Sequence, residues 1–514
     1  MFKSHVRIPM NFARPLMAVT ATVALPAMVA AVEVKPVSLD DCLRSALEKN
    51  LDIRIAQYSP MVSRLTLSSA YWVYEPNMTA GAQQSFRATE GFAGIGQFNP
   101  DPNESWNERF DTGISGQIPT GLNYNLSGFV SRQSGTQSRF NPATGLFERE
   151  DTGFIYTPAV AMTASQPLMR NAWIDQPRLN IQLQKRNLKQ GEFDLRNQVI
   201  QTATQVTLAY HDLIAARENV GVQRKALELA ERSLMENKKR VEVGAMAPLD
   251  EKEAAAQVAR SRADLISAER DLAIAQNSLK GLIADDFAGL DQSLFEPTAQ
   301  LVAIPETFSK VDSWHKGLTM RPDVMRTKLE MEKQNYQLRF ARNQLFPQLD
   351  LQGSFGLTGQ DTSLSPSLGD LQERRNPNFS AGIRLTVPFT NRRARNEHQA
   401  AKLRKEETIL RYKQLEQSVM VEIDNAIRTA DAALQRVQAT EAFREYSEAA
   451  LQAEEKKLEN GKSTSFLVLQ RQRDFTSAQS EAIRAKSDYN KALARLAQAE
   501  GFTLERYSLQ LELR

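Results

Sequence analysis

The chain is 514 residues long, 24% charged and 41% hydrophobic, with a mean hydropathy of −0.44, so it need not fold around one large apolar core. Its 64 Lys and Arg nearly match 61 Asp and Glu, and the net charge of +3 gives no footing for nucleic acid or acidic lipid as a partner. A single cysteine excludes an internal disulfide and leaves stability to packing and association.

Residues 1–31 read as a secretory signal. Lys3, Arg7 and Arg14 accompany an apolar run from Leu16 to Ala31 that ends on small residues, so cleavage is expected after Ala31 and the mature chain begins near Val32. Interrupted by Pro26 and followed at once by polar sequence, the run is short for a membrane anchor. Cys42, in Leu39-Asp40-Asp41-Cys42, lacks the small residues that precede a lipid-modified cysteine and reads as a free thiol. Helical sequence over about 39–74 stops at Pro76, and an alternating segment follows. Gly94-Ile95-Gly96-Gln97-Phe98-Asn99 begins like a nucleotide fingerprint, but it has no third glycine and no following helix, and reads as a surface loop.

Arg109 to Gln117, the tight turn Ile118-Pro119-Thr120-Gly121 and Leu122 to Val130 predict a hairpin in which Leu122, Tyr124 and Leu126 alternate with Asn123, Asn125 and Ser127. In a membrane barrel its tight turn would face the periplasm. Gln166-Pro167 closes the next strand. A long helix over about 176–243 carries Val199, Val206, Leu213, Val220, Leu227, Leu234 and Val241 seven apart, with Ala209, Ala216 and Ala230 on the adjoining seam. Beyond Gly244 a return helix over about 248–284 continues with Val258, Leu265, Leu272 and Leu279, beside Ser261, Ala268, Ala275 and Leu282. So long a seven-residue period requires partner helices, because alone it would leave its stripe in water.

After a stretch over 285–320 that breaks the helical pattern, the plan is written again. Leu51-Asp52-Ile53-Arg54 and Glu75-Pro76-Asn77-Met78 correspond to Pro322-Asp323-Val324-Met325 and Phe346-Pro347-Gln348-Leu349, each 271 positions later. Helix over about 312–345 leads to Leu349, Leu351, Gly353 and Phe355 alternating with Asp350, Gln352 and Ser354, and then to Ile383, Leu385 and Val387 around Arg384 and Thr386. Val387-Pro388 closes that strand. A second long helix over about 392–460, a break at Gly461 and a return helix over about 464–499 complete the copy. The repeats are thus 32–284 and 321–499, with 500–514 as a tail.

Each long helix would reach about 100 Å at about 1.5 Å per residue, and each pair of shorter helices could lie end to end along one of them. Apolar-out, polar-in strands suit an outer-membrane barrel. Four to six of them cannot close one, for which about eight is the smallest usual number, so several protomers must share it.

The duplicated plan, the Leu318-Thr319-Met320-Arg321-Pro322-Asp323 element, Val387-Pro388-Phe389 and the two glycine breaks together resemble the TolC family of outer-membrane efflux and secretion ducts. The resemblance implies a mainly α protein with a membrane β-barrel: a homotrimer with a long coiled-coil helical tunnel and one shared barrel set in outer-membrane lipid. It also implies a periplasmic adaptor protein and an inner-membrane pump as partners, and a belt formed by 285–320 and 500–514. Small-molecule efflux is the first expectation and type I protein secretion the second. A trimeric fibrous surface protein would not need duplicated barrel strands, and a periplasmic hydrolase would need a convergent site.

No such site is visible. His5, His211, His315 and His398 are scattered and read as solvated, and helix carboxylates read as solvated ion pairs, so no enzyme, cofactor or metal is expected. The family likeness makes the glycine turns, Gly244, Ala245 and Met246 with Gly461, Lys462 and Ser463, the adaptor contact. It also puts acids after them at a constriction. Asp250 fits, but Leu467 and Gln470 stand where the second copy's acids would be, so this mouth is expected to restrict flow by size and dewetting rather than by bound cations.

Overall fold

The computed structural model describes residues 33–90, 102–244, 246–290 and 293–509. The expected signal over 1–31, the loop Gly94 to Asn99 and the last residues of the tail lie outside the described residues. Strand β1 (Glu33–Val37) leads into α1 (Leu39–Lys49) and α2 (Leu51–Ala70). Then come β2 (Asn77–Thr89), β3 (Asn103–Gln117), β4 (Asn123–Asn141), β5 (Leu146–Asp151) and β6 (Ile155–Pro167). Helix α3 (Gln176–Glu242) runs 67 residues and returns as α4 (Pro248–Ile283).

The second copy follows β7 (Ser293–Pro297) with α5 (Lys310–Met320), α6 (Pro322–Asn343), β8 (Gln348–Thr358), a short α7 (Leu364–Gln372) and β9 (Pro377–Thr386). Helix α8 (Arg392–Glu459) runs 68 residues, and α9 (Ser465–Ala499) and α10 (Thr503–Arg506) are the last described elements.

The expected helix over 39–74 is broken at Asn50, whose backbone is extended and whose side chain accepts the Ile53 N–H at 3.1 Å, capping α2. The one expected over 312–345 is broken at Arg321, held extended before Pro322. Both breaks, and the caps Ser38 and Ser309 of α1 and α5, keep the spacing of 271. Residues 285–320 therefore do not break the helical pattern throughout: Lys310–Met320 is the counterpart of Leu39–Lys49.

Helix α2 lies on α3, and α6 lies between α3 and α8; further along, α4 and α9 pack on the same long helices. Asn50 Nδ2 donates to Leu282 O at 2.8 Å, joining the start of α2 to the end of α4, and Arg321 donates to Ala499 O at 2.9 Å, joining α6 to α9. The short helices thus follow one another along the long ones. Of the seven-residue stripe, Val199, Val206, Leu213 and Val220 are buried within the chain, whereas Leu227 and Leu234 are half-buried. On α4 the small residues Ala254, Ser261 and Ala268 are buried, while Val258, Leu265 and Leu272 are only half-buried. Small seam residues let the backbones approach closely.

A belt crosses the middle. β1 pairs in parallel with β7, and Tyr210 donates its hydroxyl to Val37 O at 3.1 Å beneath them. The Tyr489 hydroxyl donates to Ile304 O at 2.7 Å and accepts the Glu306 N–H, tying the segment after β7 to α9. Leu504 joins Ile53, Leu195, Val199 and Ile200 in one apolar cluster.

The strands form one antiparallel sheet in the order β2-β3-β4-β6-β8-β9, with β5 folded back on β4. The expected hairpin lies within this sheet as β3 and β4, both longer than the alternation indicated. Gly121, at φ +90°, makes their turn, where a side chain would be strained.

Candidate functional site

Two regions carry the candidate residues: the glycine turns at one end of the helices and the sheet at the other. Helix α8 stops in a Schellman turn. Gly461 has φ +69°, its N–H bonds to Leu458 O at 3.0 Å, and Lys462 N–H reaches Lys457 O at 2.8 Å. Gly244, at φ +73°, closes α3 in the same sense with its N–H on Val241 O at 2.9 Å. The two turns lie at the same end of the molecule, because Asn237 near the end of α3 donates to Ser465 at the start of α9 at 2.6 Å, both buried. Gly244, Gly461 and Lys462 are exposed, while Met246 and Ser463 are half-buried. Ala245 lies outside the described residues.

The expected constriction residues have local duties as well. Asp250 accepts the Ala247 N–H at 3.2 Å, an acid in the first turn of α4 that satisfies a free donor there; Ala247 has no side-chain oxygen to return the bond. Leu467 and Gln470 are exposed on α9, one turn apart, beside the buried Val468 and Leu469. Among the described residues no hydrogen bond or ion pair joins Asp250 to either, so one chain alone does not assemble them. Glu454 carries no signal in the sequence, yet its carboxyl is held below its ordinary pKa by the Ser463 hydroxyl and then by Lys457.

Helix ion pairs are mostly exposed, as Arg393 with Glu397 and Arg411 with Glu407 show. His211 is not solvated as expected: it is half-buried, its Nδ1 has no hydrogen-bond partner, and burial pushes its pKa down to about 4. Among the described residues no group of His, Cys, Asp and Glu is placed to hold a metal ion, and no helix is long and apolar enough to cross a membrane.

The sheet is different. Its register puts Met78, Ile114, Leu126, Met162, Phe355 and Phe379 in one row across all six strands. All six are exposed, and Phe110, Val160, Leu351, Ile383 and Leu385 extend the same face. The opposite face carries Thr79, Ser127, Ser354, Ser380 and Arg384. So much uncovered apolar area marks contact with lipid rather than water. Phe86 against Trp106, with ring centroids 4.6 Å apart, and the Glu108–Arg132 ion pair bound the band at one end; exposed Trp72, Trp173 and Phe389 stand where strands meet helices. Aromatic residues at both rims are what a membrane-spanning sheet needs.

The family model described as outer membrane efflux protein matches residues 124–285 and 315–501, one match in each copy. The chain belongs to that family. Among curated relatives it is 24% identical over 316 residues to the pyoverdine export outer membrane protein OpmQ of Pseudomonas aeruginosa, covering 61% of this chain and 63% of OpmQ. It is 26% identical over 281 residues to outer membrane protein OprJ of the same organism, covering 53% and 56%. The matches thus span less than two thirds of those relatives' own lengths.

Among solved structures, the Campylobacter jejuni CmeC outer membrane channel aligns at a TM-score of 0.62 and 17% identity over 90% of this chain and 86% of CmeC. The open-state Neisseria gonorrhoeae MtrE outer membrane channel aligns at 0.63 and 18%, over 92% and 91%. At that identity the likeness establishes the fold, that of TolC-like channels with a duplicated helical tunnel and a barrel portion. Family and lipid-facing band together place the protein in the outer membrane, with its helices in the periplasm.

Proposed function

We propose that the chain is one protomer of a homotrimeric duct that carries small molecules from an inner-membrane pump and a periplasmic adaptor to the outside, with no catalytic role. The observation that carries this reading is the sheet. It has a lipid-type face and a polar face but does not close within one chain, and it continues into helices about 100 Å long. Helix faces with no cover among the described residues support association: Ile55, Tyr58, Val62 and Leu65 are exposed on α2, and Leu403 and Leu410 on α8. OpmQ, named for pyoverdine export, supports export as the direction.

On this reading Gly244, Ala245, Met246, Gly461, Lys462 and Ser463 meet the adaptor, and Asp250, Leu467 and Gln470 gather around the axis. The signal occupies 1–31 and the first repeat 32–284, and the second, read from the sequence as 321–499, is extended at its head by α5 to begin at Lys310. The test is partition of the mature protein with outer membranes, followed by ion conduction in planar bilayers. A soluble or non-conducting protein would end the duct reading.

A further inference from the structure

The first copy carries four long strands where the second carries two. The family match begins at residue 124, so β2 and β3 lie before it, while β4, β6, β8 and β9 lie in the matched segments or at their edge. The additional pair is not a loose appendage. β3 pairs with β4 from Glu104 to Gln117 and with β2 from Asn103 to Ser115, and the apolar band runs on through Phe110, Ile114 and Met78. Two strand edges are left open: among the described residues β2 pairs only with β3, and β9 only with β8.

We propose that β2 of one copy pairs antiparallel with β9 of a second copy, Asn77 opposite Thr386, so that three copies close an eighteen-stranded barrel. This rests on the homotrimeric reading and goes beyond it in strand number, register and width.

The register follows from the sheet itself. The row that begins at Asn77 passes through Ser115, Asn125, Thr163 and Ser354 to Ser380. Asn77 is the base of β2, where it leaves the helical side, but Ser380 stands six residues above Thr386, the base of β9. With the strand bases level at the helices, the sheet has therefore drifted six residues across six strands, and Asn77 meets Thr386. At about 3.4 Å per residue and about 4.8 Å between strands, that drift is a tilt of about 35°, within the range of membrane barrels. An even drift also keeps every side chain on its own face. Met78 then faces Leu385 and Ala80 faces Ile383 on the lipid side, while Thr79 faces Arg384 and Gln83 faces Ser380 on the inner side.

Eighteen strands at this spacing and tilt enclose a barrel about 34 Å across between backbones; twelve would give about 22 Å. Helices α2, α3, α6 and α8 stand side by side in each copy. Twelve such helices about 8–10 Å apart form a ring about 31–38 Å across, which matches the wider barrel. The order is the same in both layers: β2 stands on α2 and β9 on α8, so the open strand edges lie over the uncovered apolar faces of those two helices.

Disulfide trapping tests the pairing. The variants are Ala82→Cys with Ala381→Cys, on the lipid face, and Gln83→Cys with Ser380→Cys, on the inner face. Neighbouring pairs alternate between hydrogen-bonded and non-hydrogen-bonded spacing, so one of the two has the closer geometry a disulfide favours. Cys42 does not compete, being buried with its thiol pushed up to about 12. Intermolecularly linked chains in at least one pair, in protein whose mass is that of a trimer, are expected. Trimers linked instead through Leu126→Cys with Ile383→Cys or Ser127→Cys with Gly382→Cys would show β4 meeting β9 and a twelve-stranded barrel, overturning the inference while leaving the duct. Trimers linked through none of these pairs would also overturn it. Absence of trimers would overturn the duct reading itself.

Discussion

Replacing Leu213 by Ala measures how the seven-residue stripe divides its work. Leu213 is fully buried in a cluster with Val206, Tyr210, Leu279 and Ile283, walled by α3, α4 and the belt. Truncation there removes the buried methyl groups and leaves a cavity in a wall fixed on several sides, which costs about 3–5 kcal/mol per chain. Leu227, two heptads along the same stripe, is half-buried in the isolated chain, so Leu227→Ala should cost only about 1–2 kcal/mol in an unassembled chain. Urea unfolding of detergent-solubilised protein held as monomer, followed by far-ultraviolet circular dichroism, gives both values. A Leu213→Ala cost no greater than that of Leu227→Ala would refute the division. Asp at Leu227 or Leu234 is the complementary perturbation: it should lower trimer yield while leaving helix content in place, because those positions lack full cover within one chain. Asp at Leu213 should disturb the chain's own fold.

At the mouth, Leu467→Ser should raise the leak conductance of closed channels in bilayers, and block by divalent cations from the periplasmic side should be weak. Tight divalent block that survives Asp250→Ala, with no effect at Leu467, would put the gate elsewhere. His211 makes stability depend on pH. Its folded pKa, pushed down to about 4 by burial and by Lys491 against the opposing Asp212, lies below the unfolded value near 6.5. Stability is therefore flat above about pH 6.5 and falls as pH drops towards 4, by at most about 3 kcal/mol per chain; a His211→Gln variant should show a flatter melting profile over that window, and an unchanged slope would contradict it. A tag inserted at Pro119 should resist labelling on intact cells, since that turn lies at the helical end of the sheet, where Gln166 Nε2 donates to Thr120 O at 3.2 Å.

The long helices were legible because a seven-residue apolar period runs along the first and glycines close both; the cap that Asp175 gives α3 through the Arg178 N–H appears only in the structure. The duplication was legible as spacing. What escaped depends on distant partners or on competing local preferences. β1 is a strand only because Ser293–Pro297 lies beside it, far along the chain. The outer parts of β3 and β4 have no alternation to detect, since beyond the membrane band polar residues occupy both faces. Asn50 interrupts a helical run whose periodicity alone argues for continuity. At the tip, the family likeness led to the expectation of a constriction at Asp250, Leu467 and Gln470, but position within the helix also made Asp250 a cap, which spacing from the glycine could not reveal.

The emptiness around the tip glycines bears on how such a protein changes over time. Nothing lies within 4 Å of the Cβ position at Gly244 or Gly461, and backbone bonds to Val241 and Leu458 close the helices there. Neighbouring exposed side chains can therefore be exchanged with little effect on folding, while the strand register at the other end tolerates no single-residue slip. If these turns meet the adaptor, as proposed, docking partners can diverge rapidly while the membrane end stays fixed, and a transplanted turn should carry its partner preference with it.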